Sequence, residues 1–417
     1  MKKVLAAGMV GNALEWYDFA LYGHFVFIIS QLFFPSDNHL VSLVMTFGGF
    51  AAGFIMRPLG AVVFGHIGDQ FGRRTALAAA ILTMAIPTAC IGLLPTYHEI
   101  GIAAPICLII IRLLQGLSLG GEFSGSIAFI VEHAPNNRRG LAGSAAMFSM
   151  NVGILLGSLA AAICNNTFTT EALYSWGWRI PFIIGLAIGL VGLYVRSGLH
   201  ESPKYEQAKK LGHISKTPTR ELFKGYRHEL FSGIVVYLTV TIPFFTFVMF
   251  MNTYMSKIVG KSPAEASLIN TISMIIATSF IPVFGYLSDI FGRKVITRLG
   301  AGLFILLTYP LFIMLNQPGF LLPLIGQTIF GILVSLYMSP VPAILVELFP
   351  TSVRYSGVAL SYNISAAGFG GTAPMVATFL INHTGNNYAI AFYIIFFAMI
   401  SFAWIGQMSE RSKLALA

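Results

Sequence analysis

The sequence predicts an all-α membrane protein with twelve transmembrane helices, arranged as two six-helix bundles related by pseudo-twofold symmetry. Composition is the first observation behind this prediction. Of the 417 residues, 56% are hydrophobic and only 10% are charged, and the mean hydropathy is +0.77. Soluble domains carry about 25% charged residues. The composition therefore excludes a soluble globule and indicates a chain that crosses a membrane many times.

Two motifs that occur twice are the second observation. The stretch Gly-His-Ile-Gly-Asp-Gln-Phe-Gly-Arg-Arg at 65–74 returns as Gly-Tyr-Leu-Ser-Asp-Ile-Phe-Gly-Arg-Lys at 285–294, which is 220 residues later (285 − 65). The pattern E-x-x-P-x-x-x-R at 132–139 returns at 347–354, which is 215 residues later (347 − 132). Because both motifs repeat in the same order, they indicate two similar halves.

Apolar runs long enough to span a membrane, which takes roughly 20 residues, divide the chain further. The runs lie near 8–33, 41–66, 75–94, 103–131, 141–165 and 179–197 in the first half, and near 230–256, 264–288, 295–315, 320–347, 355–381 and 388–408 in the second. A polar stretch separates the two sets. We therefore expect an N-terminal bundle at 1–197, a cytoplasmic linker at 198–229 and a C-terminal bundle at 230–417.

The positions of Lys and Arg predict the orientation, since these residues concentrate on the cytoplasmic side. With a cytoplasmic N-terminus, 20 of the 25 lie on that side and only Lys257 and Lys261 lie in outer loops. The net charge of +9 is therefore an orientation signal that also favours anionic lipid, and nucleic acid is not an expected partner. We expect a multi-pass protein of the cell inner membrane with both termini in the cytoplasm.

Ionisable residues inside the predicted spans are candidates for function, because a charge in hydrocarbon is costly. Glu15 and Asp18 are three residues apart in the first span and share a helix face. Arg57 lies in the second span, and Arg112 and Glu122 lie in the fourth. Counting 1.5 Å per residue from the cytoplasmic ends gives all of them except Arg112 a similar depth. We expect those four to form one cluster in the inner half of a central cavity, with Arg112 near the outer side.

These residue types suggest a proton-coupled binding site. We expect Asp18 or Glu15 to carry a proton, with Arg57 tuning that acid and binding a substrate carboxylate. Glu122 could bind the cationic end of a zwitterion. The alternative is that these groups form permanent ion pairs that only neutralise buried charge. Further candidates for the binding pocket are Tyr22, Asn151, Tyr362 and Asn363.

The repeated loops suggest a different role. Asp69 and Asp289 can accept hydrogen bonds at the N-terminus of a neighbouring helix, where the helix dipole favours an anion. The loop arginines can pair with the glutamates of the second motif. The full set of residues expected in this network is Asp69, Arg73, Arg74, Glu132, Arg139, Asp289, Arg293, Glu347 and Arg354.

Several motifs together carry a family resemblance that covers nearly the whole chain. Besides the two loops, they are Gly-Asn-Ala-Leu-Glu-Trp-Tyr-Asp-Phe at 11–19, Arg-Pro-Leu-Gly at 57–60, Arg-Leu-Leu-Gln-Gly-Leu-Ser-Leu-Gly-Gly-Glu at 112–122, Trp-Gly-Trp-Arg-Ile-Pro-Phe at 176–182 and Glu-Leu-Phe-Pro-Thr-Ser-Val-Arg-Tyr-Ser-Gly at 347–357. The chain resembles the major facilitator superfamily and, within it, the metabolite:proton symporters. It looks most like the proline/glycine-betaine symporters.

This resemblance implies import of a small carboxylate-bearing solute together with protons, by alternating access. A zwitterion such as proline or betaine is the first expectation. A di- or tricarboxylate such as 2-oxoglutarate or citrate is the alternative, and an uncoupled facilitator or exporter is a third. In the superfamily, the loop network closes the cytoplasmic side, which implies a gating role here.

Enzymatic activity is not expected. The sequence has no H-E-x-x-H and no His/Cys set with metal-ligand spacing,. A receptor or scaffold built on the same fold is the other alternative. The expected partners are a small-molecule substrate, protons and membrane lipids. We expect no cofactor and no metal, and we expect a monomer.

Overall fold

The computed structural model describes residues 1–36 and 39–416, and in these ranges the chain forms helices and no strand. The prediction of an all-α fold with twelve long helices is confirmed. The helices are α1 (Lys2–His24), α2 (His39–Gln70), α3 (Arg73–Leu93), α4 (Ala103–His133), α5 (Arg139–Thr167), α6 (Arg179–Ser197), α7 (Arg227–Ile258), α8 (Pro263–Phe291), α9 (Arg293–Leu315), α10 (Leu321–Leu348), α11 (Arg354–Thr384) and α12 (Ala389–Gln407).

Ten of these helices, α3 to α12, are long and apolar enough to cross a membrane by length and composition, within the part of the chain that the structure describes. The polar residues Asn12, Glu15 and Asp18 are all buried in α1. A second helix, Val26–Phe33, follows α1 directly. Helix α1 begins at Lys2, whereas the apolar run predicted a start near residue 8, and this difference affects the depth of its acids.

The chain divides into two compact units. Unit 1 comprises Met1–His133, Ser149–Arg220 and Thr351–Ala359, and unit 2 comprises Ala134–Phe148, Glu221–Pro350 and Leu360–Ala417. Unit 1 therefore includes the first residues of α11, and unit 2 includes the first residues of α5. The segment in unit 1 begins directly after Pro350 of the repeated E-x-x-P-x-x-x-R motif, and the segment in unit 2 begins at Ala134, one residue before Pro135.

Short helices in unit 1 lie between or after the long ones. Tyr97–Ile100 begins with a capping box in which Thr96 and Glu99 satisfy each other's backbone N–H groups,. Pro203–Lys210 follows α6, and the side chain of Ser202 accepts a hydrogen bond from Tyr205 N at its start,.

Close packing in unit 1 depends on glycines of α2 and α4. A Cβ atom added at Gly116 would lie 2.1 Å from the carbonyl oxygen of Gly53, and one added at Gly60 would lie 2.0 Å from the carbonyl oxygen of Leu117. Such distances leave no room for a side chain. Small residues allow this kind of backbone approach between helices in a membrane, so α2 and α4 pack backbone to backbone.

Replacing Gly116 by Ala should therefore separate α2 from α4. We expect Gly116→Ala to destabilise the protein by about 1–3 kcal/mol, the typical cost of overpacking, and to lower the midpoint of thermal unfolding in detergent. Gly23→Ala is the matched control, since a Cβ atom at exposed Gly23 would meet no atom within 4 Å. Equal midpoints for the two variants would contradict the packing argument.

Candidate functional site

A buried ion pair joins α1 to α4 in unit 1. Nη1 of Arg112 lies 2.9 Å from Oδ2 of Asp18, and both side chains are almost fully buried. Nε2 of Gln115 donates to Oδ1 of Asp18 at 3.0 Å and to Oγ1 of Thr88 at 2.9 Å. The guanidinium carbon of Arg112 lies 3.8 Å from the ring centroid of Tyr22. Asp18 therefore accepts hydrogen bonds from one charged and one neutral donor,.

This pair corrects the expectation that Arg112 lies outside the site and that Arg57 is the partner of Asp18. Helix α1 begins at Lys2, six residues before the predicted start (8 − 2), so the distance counted along the helix to Asp18 was about 9 Å too short. The contact itself places Asp18 and Arg112 at the same level of unit 1. Gln115 was missed, although its spacing of three residues from Arg112 places both on one face of α4.

Glu15 has very different surroundings, although it lies one turn before Asp18. Its side chain is 1% exposed, and neither of its carboxylate oxygens has a hydrogen-bond partner among the described residues. The positive charge of Arg57 attracts a Glu15 carboxylate, and the negative charge of Glu122 repels it. Arg57 is itself completely buried, and its guanidinium carbon lies 5.3 Å from the ring centroid of Phe54.

A small polar cavity lies beside the two acids of α1. Its lining includes Glu15, Asp18, Arg112 and Gln115, and its volume of about 20 Å³ is enough for about one water molecule. Atoms Nε and Nη2 of Arg112 and Oε1 of Gln115 have no hydrogen-bond partner in the described part of the chain. The cavity therefore combines two acids, one guanidinium and unused hydrogen-bonding capacity.

Glu122 belongs to a second buried pair and is not open to a ligand, contrary to expectation. Nη2 of Arg196 contacts Oε1 of Glu122, and Nη1 of Arg196 donates to Oε2 at 2.9 Å. Arg196 also donates to the carbonyl oxygens of Ala7 and Leu77. From the sequence, Arg196 is one of the 20 cytoplasmic positive charges, and it lies in the last turn of α6.

The remaining binding candidates are buried but do not line the polar cavity. Tyr22 donates its hydroxyl to a backbone carbonyl of α2, and the guanidinium described above covers one face of its ring. Asn151 in unit 1 is 4% exposed, and Tyr362 and Asn363 in unit 2 are 2% and 0% exposed. The ring centroid of Tyr362 lies 5.0 Å from that of Tyr237 in an edge-on contact.

The loop after α2 forms an ion-pair network within unit 1. Arg73 lies 3.2 Å from Asp69 and 3.2 Å from Glu132, and Nη1 of Arg354 lies 2.9 Å from the same glutamate oxygen. Ser202 donates a further hydrogen bond to Glu132. All four charged side chains are completely buried. One carboxylate therefore links the loop, the end of α4 and the start of α11.

The equivalent loop forms the same kind of network in unit 2. Arg293 lies 2.9 Å from Asp289 and 3.5 Å from Glu347, and Arg139 lies 2.9 Å from Glu347. Arg74 behaves differently from the expectation, because its guanidinium donates to the carbonyl oxygen of Ser197 at 2.7 Å and pairs with no glutamate in the described residues.

Both loop aspartates accept hydrogen bonds at helix N-termini, as their positions predict. The donors are the backbone N–H groups of Tyr355 and Ser356 for Asp69, at 3.0 and 2.9 Å, and those of Gly140 and Leu141 for Asp289, at 2.8 and 2.8 Å. A carboxylate at this position satisfies N–H groups that have no partner within the helix and interacts favourably with the helix dipole.

Two glutamates that the sequence analysis missed cap the helices that follow these loops. Glu201 accepts hydrogen bonds from the first backbone N–H groups of α3 at 3.1 Å, and Glu410 accepts one from Lys294 N in α9 at 2.9 Å. The glycines before these helices, Gly72 and Gly292, have φ angles of 110° and 97°, which other residues rarely adopt. The signal for the caps was present, since Glu201 follows α6 as Glu410 follows α12.

The two capping carboxylates differ in their electrostatics. Burial raises the pKa of the Glu201 carboxyl above its ordinary value, and its hydrogen bonds only partly oppose this shift. The pKa of the Glu410 carboxyl is lowered, because hydrogen bonds from the backbone of Lys294 and from Ser412 outweigh the effect of burial. Equivalent positions in the two halves therefore share geometry and not proton affinity.

Two family models match the chain, and together they cover most of it. The model described as "Sugar (and other) transporter" matches residues 4–216. The model described as "Major Facilitator Superfamily" matches residues 230–414.

Curated relatives match nearly the full chain. A "Putative proline/betaine transporter" of Staphylococcus aureus (strain COL) is 35% identical over 408 residues, covering 96% of this chain and 86% of that protein. The "Glycine betaine/proline/ectoine/pipecolic acid transporter OusA" of Dickeya dadantii (strain 3937) is 34% identical and covers 96% and 81%. The "Proline/betaine transporter" of Escherichia coli (strain K12) is 33% identical and covers 99% and 84%.

Solved structures share the fold at lower identity. The proton:xylose symporter XylE bound to 6-bromo-6-deoxy-D-glucose has a TM-score of 0.78 at 20% identity, covering 99% of this chain and 97% of that chain. A structure described as a D-xylose-proton symporter has a TM-score of 0.70 at 19% identity, covering 100% and 99%. At this identity the likeness shows the fold alone.

The pair between Glu122 and Arg196 yields a prediction about stability. Arg196→Gln leaves a buried carboxylate without its partner, which typically costs about 3–5 kcal/mol, and we expect a correspondingly lower thermal midpoint. The double variant Glu122→Gln with Arg196→Gln should lose less than the sum of the single losses, because the two residues interact directly. Arg227→Gln, at an exposed Arg, is the control. Additive losses would rule out a coupled pair.

Proposed function

Because the chain belongs to the major facilitator superfamily of membrane transporters, we propose that it is a proton-coupled symporter that imports a small zwitterion by alternating access. Membership itself makes the chain a multi-pass membrane protein that transports a solute and not an enzyme. We further propose that it lies in the cell inner membrane as a monomer, with both termini in the cytoplasm. The distribution of Lys and Arg supports this orientation.

Proline or betaine is the proposed solute. The support is that relatives 33–35% identical over nearly the whole chain are named as proline and betaine transporters. Since Arg196 occupies both oxygens of Glu122, this glutamate is a poor partner for the ammonium group. Aromatic faces are a better match for a quaternary ammonium, and the buried ring of Tyr362 stays a candidate for that contact.

The observation that carries the proton-coupling proposal is the contrast between the two acids of α1. Asp18 has an arginine and a glutamine as partners, whereas Glu15 is equally buried and has no hydrogen bond to any residue that the structure describes. A carboxylate charge without hydrogen bonds is costly at such a position in a membrane, and a proton removes that charge. Glu15 is therefore our candidate for the proton carrier, and Asp18 for the acid that positions Arg112.

A guanidinium beside these acids would bind the substrate carboxylate. Arg112 is better placed than Arg57, because Arg112 lines the polar cavity and Arg57 is not among its lining residues. Two nitrogens of Arg112 have no hydrogen-bond partner in the described residues, and a guanidinium fork can bind a carboxylate through two parallel hydrogen bonds. Proton uptake and substrate binding would then be coupled within one turn of α1.

The loop networks are the proposed gate. Asp69 holds the start of α11 through two backbone N–H groups, and Glu132 holds it through Arg354. We infer that α11 is released from these contacts when the cytoplasmic side opens. The equivalent contacts of Asp289 and Glu347 would hold the start of α5 in the same way.

Uptake into proteoliposomes tests the function. Purified protein should accumulate labelled proline or betaine when the outside is more acidic than the inside, and a protonophore should abolish the accumulation. Equilibration without accumulation would indicate an uncoupled facilitator. Accumulation of citrate or 2-oxoglutarate in place of the zwitterions would overturn the substrate proposal while retaining proton coupling.

Glu15→Gln should separate transport from coupling in the same assay. The amide cannot take up a proton, so we expect substrate exchange to continue while an imposed pH gradient no longer drives accumulation. Asp18→Asn should lower exchange as well, because it removes the charge that holds Arg112. Glu206→Gln, at an exposed acid of the linker, should behave as the wild type. Normal proton-driven accumulation by Glu15→Gln would exclude Glu15 as the carrier.

Asp69→Asn should weaken the proposed gate. The amide places an NH₂ group against one of the two backbone donors, and the loss of a charged acceptor typically costs about 1.5–3 kcal/mol. We expect spin labels on the cytoplasmic ends of α2 and α11 to show a larger fraction of long distances. Glu99→Gln, in the capping box of a short helix, is the control. An unchanged distance distribution in Asp69→Asn would argue against gating.

A further inference from the structure

A long groove runs along the outer surface of unit 2, between α9 and α12. Its volume is about 570 Å³, and its lining includes Lys294, Arg298, Leu299, Leu306 and Phe402. On α9 the lining residues follow one another at spacings of three and four, so they form a single stripe along the helix. Leu299 and Leu306 are 51% and 69% exposed. The groove therefore combines a basic end with an apolar channel.

The basic end consists of two cations one helical turn apart. Nζ of Lys294 donates to the carbonyl oxygens of Gly406 and Met408 at 2.7 and 2.9 Å, which uses two of its three N–H bonds. Arg298 is exposed and forms no ion pair or hydrogen bond within the described residues. Its guanidinium carbon lies 4.5 Å from the ring centroid of Phe402. The planar fork of Arg298 is thus held in place by an aromatic ring while its N–H groups stay available.

Comparison with the first half of the chain shows that Arg298 is not needed for the repeated loop structure. The counterpart of Lys294 is Arg74, and each donates to a carbonyl oxygen at or near the end of a later helix, Gly406 and Ser197 respectively. The counterpart of Arg298, 220 residues earlier, is Ala78. Only unit 2 therefore carries the second cation.

The length of the groove matches one leaflet of a bilayer. From Lys294 near the start of α9 to Leu306 there are twelve residues (306 − 294), or about 18 Å along the helix. Half of a hydrocarbon core is about 15 Å thick. If α9 enters the membrane near its first residue, Arg293, the cations would lie at the membrane surface and the leucines at the depth of the acyl chains.

We propose that this groove is a binding site for an anionic diacyl phospholipid, with phosphatidylglycerol as the occupant. Arg298 and the remaining N–H of Lys294 bind the phosphate, for which a guanidinium fork is well shaped. One acyl chain lies along Leu299, Leu303 and Leu306, past Gly302, where the absence of a side chain leaves the channel open. The proposal depends on the protein's location in a membrane and not on its substrate.

Native mass spectrometry of the purified protein tests the site. Titration with phosphatidylglycerol and with phosphatidylcholine of the same acyl chains should show tighter binding of the first phosphatidylglycerol. Arg298→Gln should weaken that step about fivefold, since one basic residue near a membrane surface contributes about 1 kcal/mol of attraction. Binding of phosphatidylcholine should not change. Lys224→Gln, at an exposed Lys of the linker, should bind both lipids as the wild type does.

A second variant tests the apolar channel without changing charge. A Cβ atom at Gly302 would lie 3.4 Å from the Phe402 ring, an ordinary contact, so Gly302→Leu should fold and fill the groove. We expect this variant to lose the tight phosphatidylglycerol step. Unchanged binding by either Arg298→Gln or Gly302→Leu would overturn the proposal, as would equal losses in Arg298→Gln and Lys224→Gln.

Discussion

Compensation of buried charge is the constraint on which the rest of this structure depends. Hydrocarbon cannot solvate an ion, so each acid and base within a span must find its partner in the protein. Asp18 forms an ion pair with Arg112, and Glu122 forms one with Arg196. Each pair connects helices that are far apart in sequence. A pair of this kind adds little net stability, but breaking it is costly, and it therefore restricts which helices can be neighbours within the unit.

The same constraint explains the repeated loops. Asp69 and Asp289 each accept hydrogen bonds from two N–H groups at the start of another helix. The carboxylate charge and the backbone N–H groups that lack a partner within the helix therefore compensate each other. Glu201 and Glu410 do the same for α3 and α9. These contacts recur in both halves, at equivalent positions of the repeated motifs. Features present in one half only, such as Arg298, are better candidates for a specific function.

Glu15 is the exception that gives the proposed mechanism its physical basis. It lies one turn from an acid that is fully paired, yet its own oxygens have no hydrogen bonds in the described residues. Two acids in such different surroundings can divide the work, one staying ionised and one exchanging a proton. The small cavity between Glu15 and Arg112 places the proposed proton carrier beside the proposed carboxylate ligand, as coupling requires.

Hydropathy and motif spacing alone determined the number of helices, the ends of α6 at 179 and 197, and the roles of Asp69 and Asp289 as helix caps. These features are local, because a span follows from a run of apolar residues and a cap follows from its position in a loop. The sequence also identified Glu15, Asp18 and Arg112 as the unusual charges of their spans. It could not decide which of them meet.

Only the tertiary structure shows that Asp18 pairs with Arg112, that Glu122 pairs with Arg196, and that Glu201 caps the N-terminus of α3. The physical reason is that a partner depends on the depth and rotation of both helices. Depth depends on where a helix begins, and α1 begins at Lys2, so a count from the apolar run alone misplaced Asp18 relative to Arg112. Rotation depends on the packing of neighbouring helices, and residue spacing along the sequence does not give that packing.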